Sequence, residues 1–313
     1  MSELERVPDF FVVGAPKCGT TSLCSYLETH PGIFMSPVKE PHYFYCDFRP
    51  STAPGGRVGA FARPDYYSRL FAKAGADQLC GEGSTLYLFS RFAIADILKE
   101  KPDAKLIAMV RNPLDMVVSF HGQKIYSLEE KELDFAVAWR LSEARARGES
   151  VPSGCRAPEE LNYKSMGRLG EQIERLLKIA RPEQVHIIVF DDFLSDTAAC
   201  YRGVLQFLGL PDPGTTEFPV VNARREHRMP WVSNFLRQPP PPFKQVKSAL
   251  TQYFPAELSR VGKPLRRINT RPAAKPAITA QTKSEMATEF ADDIELLGSL
   301  LGRDLSHWYK KAL

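Results

Sequence analysis

Phe11-Val12-Val13-Gly14-Ala15-Pro16-Lys17-Cys18-Gly19-Thr20-Thr21-Ser22-Leu23 opens on an apolar run and passes through three hydroxyl residues. The run is apolar on both alternations, the pattern of a strand buried on both faces of a parallel sheet. Two glycines then bracket a loop, and the hydroxyl residues open a helix whose apolar positions Leu23, Tyr26 and Leu27 recur at intervals of three and one. A strand feeding such a loop aims successive backbone N–H groups at one point. The helix N-terminus adds partial positive charge there, so the unit predicts a phosphate cradle. The spacing Gly14-x4-Gly19 reproduces half of a Walker A loop, in which lysine follows the second glycine directly and Ser or Thr for magnesium comes next. Here Thr20 follows Gly19, and the lysine is Lys17, inside the loop.

Working outward, three further runs read as buried parallel strands: Gln78–Gly81, Lys105–Val110 and His186–Phe190, after Phe10–Gly14. Helical periodicity separates them. Pro113 stands at a first helical position, and Leu169, Ile173, Leu176 and Leu177 share one face. Tyr201, Val204, Leu205 and Leu208 run to Gly209, a helix stop. Met286, Phe290, Ile294, Leu297 and Leu301 form a last helix that docks on the core. The alternation predicts an α/β fold with a parallel sheet flanked by helices on both faces, and ligands at the carboxyl ends of the strands. Arg49 to Pro64, Ala144 to Glu159 and the proline run in Gln238 to Phe243 lack periodicity and read either as surface loops or as the rim of a cleft. With no repeat and no clear linker, residues 1–313 read as a single domain.

The chain of 313 residues carries 41 Lys+Arg against 37 Asp+Glu and is 43% hydrophobic. Those proportions exclude a disordered or collagen-like chain, and a net charge of +4 argues against a nucleic-acid partner or a polybasic membrane anchor. No apolar run is long enough for a transmembrane segment, and the acidic start before Phe10 is not a secretory leader and leaves no room for an upstream anchor. Six cysteines without a CxxC pair argue against a zinc site or disulfide framework and favour reduced thiols in the cytoplasm.

A second anchor is Val110-Arg111-Asn112-Pro113, where Arg111 ends an inner strand, with Ser119 six residues past Pro113 in the following helix. That is about 9 Å of helical rise, and a guanidinium and a hydroxyl so placed can share one dianionic phosphate. By itself, an arginine ending a strand is equally a structural ion pair.

Together, the Pro16-Lys17-Cys18-Gly19-Thr20-Thr21-Ser22 loop and the Arg111-to-Ser119 segment resemble the two signatures of sulfotransferases that use 3′-phosphoadenosine-5′-phosphosulfate (PAPS). The likeness continues through Cys80–Tyr87 to Leu300–Trp308. It implies a single α/β domain related to P-loop kinases and a 5′-phosphosulfate held by Lys17, Cys18, Gly19, Thr20, Thr21 and Ser22. It further implies a 3′-phosphate at Arg111 and Ser119, with 3′-phosphoadenosine-5′-phosphate (PAP) as product and no metal. Lys17 is then the donor to the leaving oxygen. Val38-Lys39-Glu40-Pro41-His42-Tyr43-Phe44 resembles the Glu-x-His-x-Phe motif of the glycosaminoglycan and heparan sulfate group, which implies Glu40 as general base and His42 as its assistant. In an extended segment the two side chains would face the same way. His121 is a second candidate base. The alternative is a surface carboxylate and a packed histidine.

The likeness has gaps. The group's lysine near Glu82-Gly83-Ser84 is missing, and Gly167 is followed at once by Arg168. The loop closing over the 3′-phosphate is weakly matched, Arg224 and Arg225 being the local candidates. A P-loop kinase or NTPase stays open as a rival through the strand ending in Asp191 and Asp192, which could imitate a magnesium-holding acid; so does a non-catalytic nucleotide-binding protein. The absence of a dense lysine field argues against a long polyanionic acceptor and favours a small-molecule, sugar, lipid or carrier-bound one, and Phe44, Tyr45, Phe48, Tyr66, Tyr67, Tyr87 and Phe89 either line its pocket or belong to the core. Oligomeric state is not legible.

Overall fold

Every residue of β1, Phe10–Gly14, is buried, and the computed structural model puts this strand at the middle of a five-stranded sheet of order β2-β3-β1-β4-β5. The structure describes residues 6–47, 63–155, 157–219, 225–227, 270–272, 278–310 and 312. The other strands are β2 (Ile33–Met35), β3 (Leu79–Gly83), β4 (Lys105–Val110) and β5 (Val185–Val189), and all pairings are parallel. Two expected strands shift slightly: β3 runs on to Gly83, and β5 stops at Val189 because Phe190 already begins a helix. β2 is a strand that periodicity did not predict.

The helices are α1 (Thr20–Leu27), α2 (Pro64–Arg69), α3 (Ala93–Glu100), α4 (Pro113–Tyr126), α5 (Phe135–Arg140), α6 (Ser142–Ala146), α7 (Tyr163–Gly167), α8 (Leu169–Ile179), α9 (Phe190–Ser195), α10 (Thr197–Leu208) and α11 (Ala280–Leu301). A short antiparallel ribbon pairs β6 (Arg225–His227) with β7 (Thr270–Pro272). Pro113 takes the first position of α4, and the Asn112 side chain accepts from the Leu114 amide at 3.0 Å, a cap that starts the helix where strand β4 has just ended. Gly209 stops α10 in the left-handed region (φ 78°). Met286, Phe290, Ile294 and Leu297 are buried along α11, which packs on α8 and α4. Asp293 of that helix accepts from the amides of Gly170 and Glu171 at 2.8 and 2.9 Å, satisfying the start of α8.

Beside the sheet, charge is buried in pairs. Arg145 and Glu130 form a fully buried two-point contact, with the Tyr163 hydroxyl donating to the same carboxylate at 3.0 Å. Lys124 bridges Glu129 and Glu160. No helix among the described residues is long and apolar enough to cross a membrane.

The chain leaves β1 toward β2 and β3 on one side and returns to β4 and β5 on the other. The loop after β1 therefore lies at the switch point where open parallel sheets bind ligands. The segments after β2, β3 and β4 converge on the same edge.

Candidate functional site

The loop after β1 enters helix α1 through Gly19, at φ 91°, and Lys17 also sits in the left-handed region at φ 65°. A Cβ on Gly19 would stand 2.9 Å from the Phe190 ring, so both conformation and space demand glycine there. No acidic residue occupies the first turn of α1 to offset its N-terminal charge. Thr21 and Ser22 are half-exposed, whereas Thr20 is buried. Cys18 turns inward, its thiol donating to the Pro16 carbonyl at 3.5 Å and pushed up to about 12 by burial, so only its backbone can serve a ligand.

Arg111 leaves the end of β4 and turns back to this loop. Its guanidinium donates to the Lys17 carbonyl at 3.3 Å, lies 4.7 Å from the centre of the Phe190 ring and approaches Asp115 at 3.9 Å. Ser119 follows two turns into α4, half-exposed. Arg224 lies outside the described residues, and Arg225 opens β6. Asp191 accepts from the Trp308 indole at 2.8 Å and Asp192 from Arg303 at 2.6 Å, so both carboxylates anchor the segment after α11. Among the described residues no group of three or more His, Cys, Asp or Glu could hold a metal ion.

The segment after β2 is not extended as expected. Glu40 and His42 are both left-handed, each at φ 53°, because their amides dock on the end of β3: Glu40 N–H to the Gly83 carbonyl at 3.2 Å and His42 N–H to Ser84 Oγ at 3.1 Å. The two side chains meet all the same, with His42 Nε2 3.3 Å from Glu40 Oε2. Thr85 donates to the same carboxylate at 3.3 Å, and Lys39 stands 3.7 Å from its other oxygen. Burial pushes Glu40 up, but the hydrogen bond and charge of His42, then Lys39 and Thr85, outweigh it and hold the carboxyl down at about 2.

Behind this turn lies a second, fully buried carboxylate, Glu82, which accepts from Tyr67, Ser84 and Tyr87. Burial raises its pKa despite those three donors. Ser84 and Tyr87 in turn accept from the amides of His42 and Phe44, so Glu82 organises the turn that carries Glu40. Sequence reading missed Glu82 and Lys39. A glutamate inside an otherwise apolar strand end was the available signal for the first, and a cation beside Glu40 for the second.

One expectation is corrected and one alternative is decided. His121 is only 2% exposed, bonded to the Glu132 carbonyl at 2.8 Å and packed on Phe135 and Tyr163, so it is a core histidine and not a second base. Phe44, Tyr45, Tyr67, Tyr87 and Phe89 are buried, and Tyr67 stacks on Tyr43 at 4.2 Å, so these aromatics form core and do not line an acceptor pocket. Tyr66 is half-buried, and Phe48 lies outside the described residues.

Fold and site define a parallel α/β protein of P-loop-kinase-like architecture, with a glycine-bracketed loop at the switch point and a carboxylate–histidine pair on the segment after β2. Residues 86–224 match the family model described as the sulfotransferase domain. The match contains Arg111 and Ser119 and begins after the loops of Lys17 and Glu40. Carbohydrate sulfotransferase 15 of Mus musculus is 23% identical over 271 residues, covering 71% of this chain and 48% of its own length. Heparan sulfate glucosamine 3-O-sulfotransferase 6 of Homo sapiens is 29% identical over 120 residues, 38% of this chain and 31% of its own. The chain thus spans about half or less of the length of these curated relatives. A sulfotransferase crystal structure from Alicyclobacillus acidocaldarius is 26% identical and superposes with a TM-score of 0.66, covering 97% of this chain and 99% of that one.

Proposed function

We propose that this protein is an enzyme transferring the sulfuryl group of PAPS to an acceptor hydroxyl, with amines as secondary acceptors. The observation that carries the reading is the convergence, at one sheet edge, of the Gly14–Ser22 loop, an arginine bonded to that loop, and a carboxylate–histidine pair. Backbone amides of Cys18 and Gly19 with the hydroxyls of Thr20, Thr21 and Ser22 suit the 5′-phosphate. Arg111 and Ser119 suit the 3′-phosphate, and Arg224 and Arg225 are further candidates for it on sequence alone. Glu40, oriented by His42, takes the acceptor proton; the acceptor oxygen bonds to sulfur as the bond from sulfur to the 5′-phosphate oxygen breaks, and Lys17 stabilises the charge left on PAP. This scheme calls on no metal.

The kinase alternative loses its main support, because Asp191 and Asp192 are held by Trp308 and Arg303 and Thr20 stands where a Walker lysine is required. We read residues 1–313 as one sulfotransferase domain, supported by the packing of α11 on α4 and α8. Six free thiols support a cytoplasmic setting, and the acceptor is a small molecule, sugar, lipid or carrier-bound hydroxyl. The test is calorimetry with PAP in EDTA followed by a screen of labelled-sulfate transfer from PAPS to hydroxylated and amino acceptors. Binding of PAP without magnesium and transfer to at least one acceptor class are expected; ATP binding that requires magnesium, with no response to PAP, defeats the reading.

A further inference from the structure

The Lys39 ammonium spans the gap the sulfuryl group has to cross. Its Nζ donates to Thr21 Oγ1 at 2.6 Å, in the first turn of the helix that faces the donor phosphate, and lies 3.7 Å from Glu40 Oε1. The side chain is 58% exposed, so it is not built into the core, and its two partners belong to separate elements, one on the donor side and one on the acceptor side. In an in-line displacement the acceptor oxygen, sulfur and leaving oxygen are collinear. With the 5′-phosphate at the start of α1 and the acceptor proton at Glu40, the sulfur must lie between Thr21 and Glu40. That is where Lys39 already reaches.

The geometry points to Lys39 as a further catalytic residue, whose ammonium binds the peripheral oxygens of the sulfuryl group between the phosphate loop and Glu40. The inference rests on the donor reading above. Lys39 changes no bond order and carries no proton in the step: it offers its three N–H donors to oxygens over which charge spreads as the sulfur–oxygen bond to PAP lengthens. Lys17 sits in the loop on the leaving-oxygen side, so the two lysines divide the charge along the reaction axis. Turning toward the sulfuryl group also draws Lys39 off the Glu40 carboxylate and so lets that carboxylate become more basic when the donor is in place.

PAPS and PAP differ only by the sulfuryl group, so their affinity ratio reports contact with it, independently of any acceptor. Calorimetry of both nucleotides is therefore run on the wild type, Lys39→Met and Lys39→Arg, with melting temperatures recorded without ligand. Lys39→Met is expected to bind PAP within about twofold of wild type and PAPS about ten- to a hundredfold more weakly, the range for a lost charge-assisted hydrogen bond. Lys39→Arg is expected to regain part of the difference, and ligand-free melting should fall by no more than a few degrees, the share of an exposed cation among Glu40's partners. Equal weakening of both nucleotides would make Lys39 a staple of the phosphate loop, and no change in either would make it a surface cation; both outcomes overturn the proposal while leaving the donor reading standing. A wild-type protein that binds neither nucleotide overturns the donor reading and the proposal together.

Discussion

Acidification should unload Glu40 late and at a definite cost. Its carboxyl is held at about 2 against an ordinary 4.5, and its side chain is 21% exposed, so solvent screening takes only part of the effect. At about 1.4 kcal/mol for each tenfold change in proton affinity, the difference corresponds to about 3 kcal/mol of stability. The sign follows from the direction. A carboxylate with a depressed folded-state pKa contributes fully above its unfolded value near 4.5 and loses that contribution as pH falls through about 2. Urea unfolding of wild type and Glu40→Gln at several pH values from about 5 to about 2 isolates the group, since the other carboxylates titrate in both proteins. Wild type should lose about 3 kcal/mol more than the variant across that window. Parallel stability curves would show that the charges of His42 and Lys39 and the Thr85 hydrogen bond do not hold Glu40 ionised, and the description of Glu40 as a low-affinity carboxylate would fall.

Gly19→Ala forces a Cβ to 2.9 Å from the Phe190 ring at φ 91°, so PAP affinity measured by calorimetry should drop at least about tenfold as the loop shifts. Arg145→Met should cost about 3–5 kcal/mol in urea unfolding by leaving Glu130 buried and unpaired, and adding Glu130→Met should recover much of that loss. Asp192→Asn removes one half-exposed partner of Arg303 and should cost at most about 1 kcal/mol with PAP binding unchanged; dependence of nucleotide binding on Asp192 would restore a metal-holding role.

What was legible in the sequence was local. Phe10–Gly14 and Lys105–Val110 are short runs apolar on both faces, the pattern of strands in a covered parallel sheet. Pro113 after Asn112 marks a helix start through chemistry contained within three residues. β2 escaped because three residues cannot display a period, and its strand character comes from pairing with Leu79–Gly81. The turn at Glu40 and His42 was misread for a related reason. An isolated segment with Pro41 in it is biased toward extended backbone, but hydrogen bonds to Gly83 and Ser84, more than forty residues away, select the left-handed region at both positions.

The aromatic residues near Glu40 show how one composition serves two ends. A cluster of Phe and Tyr beside a carboxylate reads equally well as an acceptor pocket or as core, since both bury aromatic surface. The deciding fact is the fate of the tyrosine hydroxyls. Those of Tyr67 and Tyr87 donate inward to Glu82, a carboxylate with no solvent exposure, and so leave no polar edge for a substrate. A buried acid needs such donors to stay in place, and here two of its donors, Ser84 and Tyr87, also accept from the amides of His42 and Phe44. The carboxylate proposed as base, Glu40, thus stands on a buried one at Glu82. Conversion of Glu82 to an apolar residue would damage the site through the turn that carries Glu40, without touching any group that meets the donor.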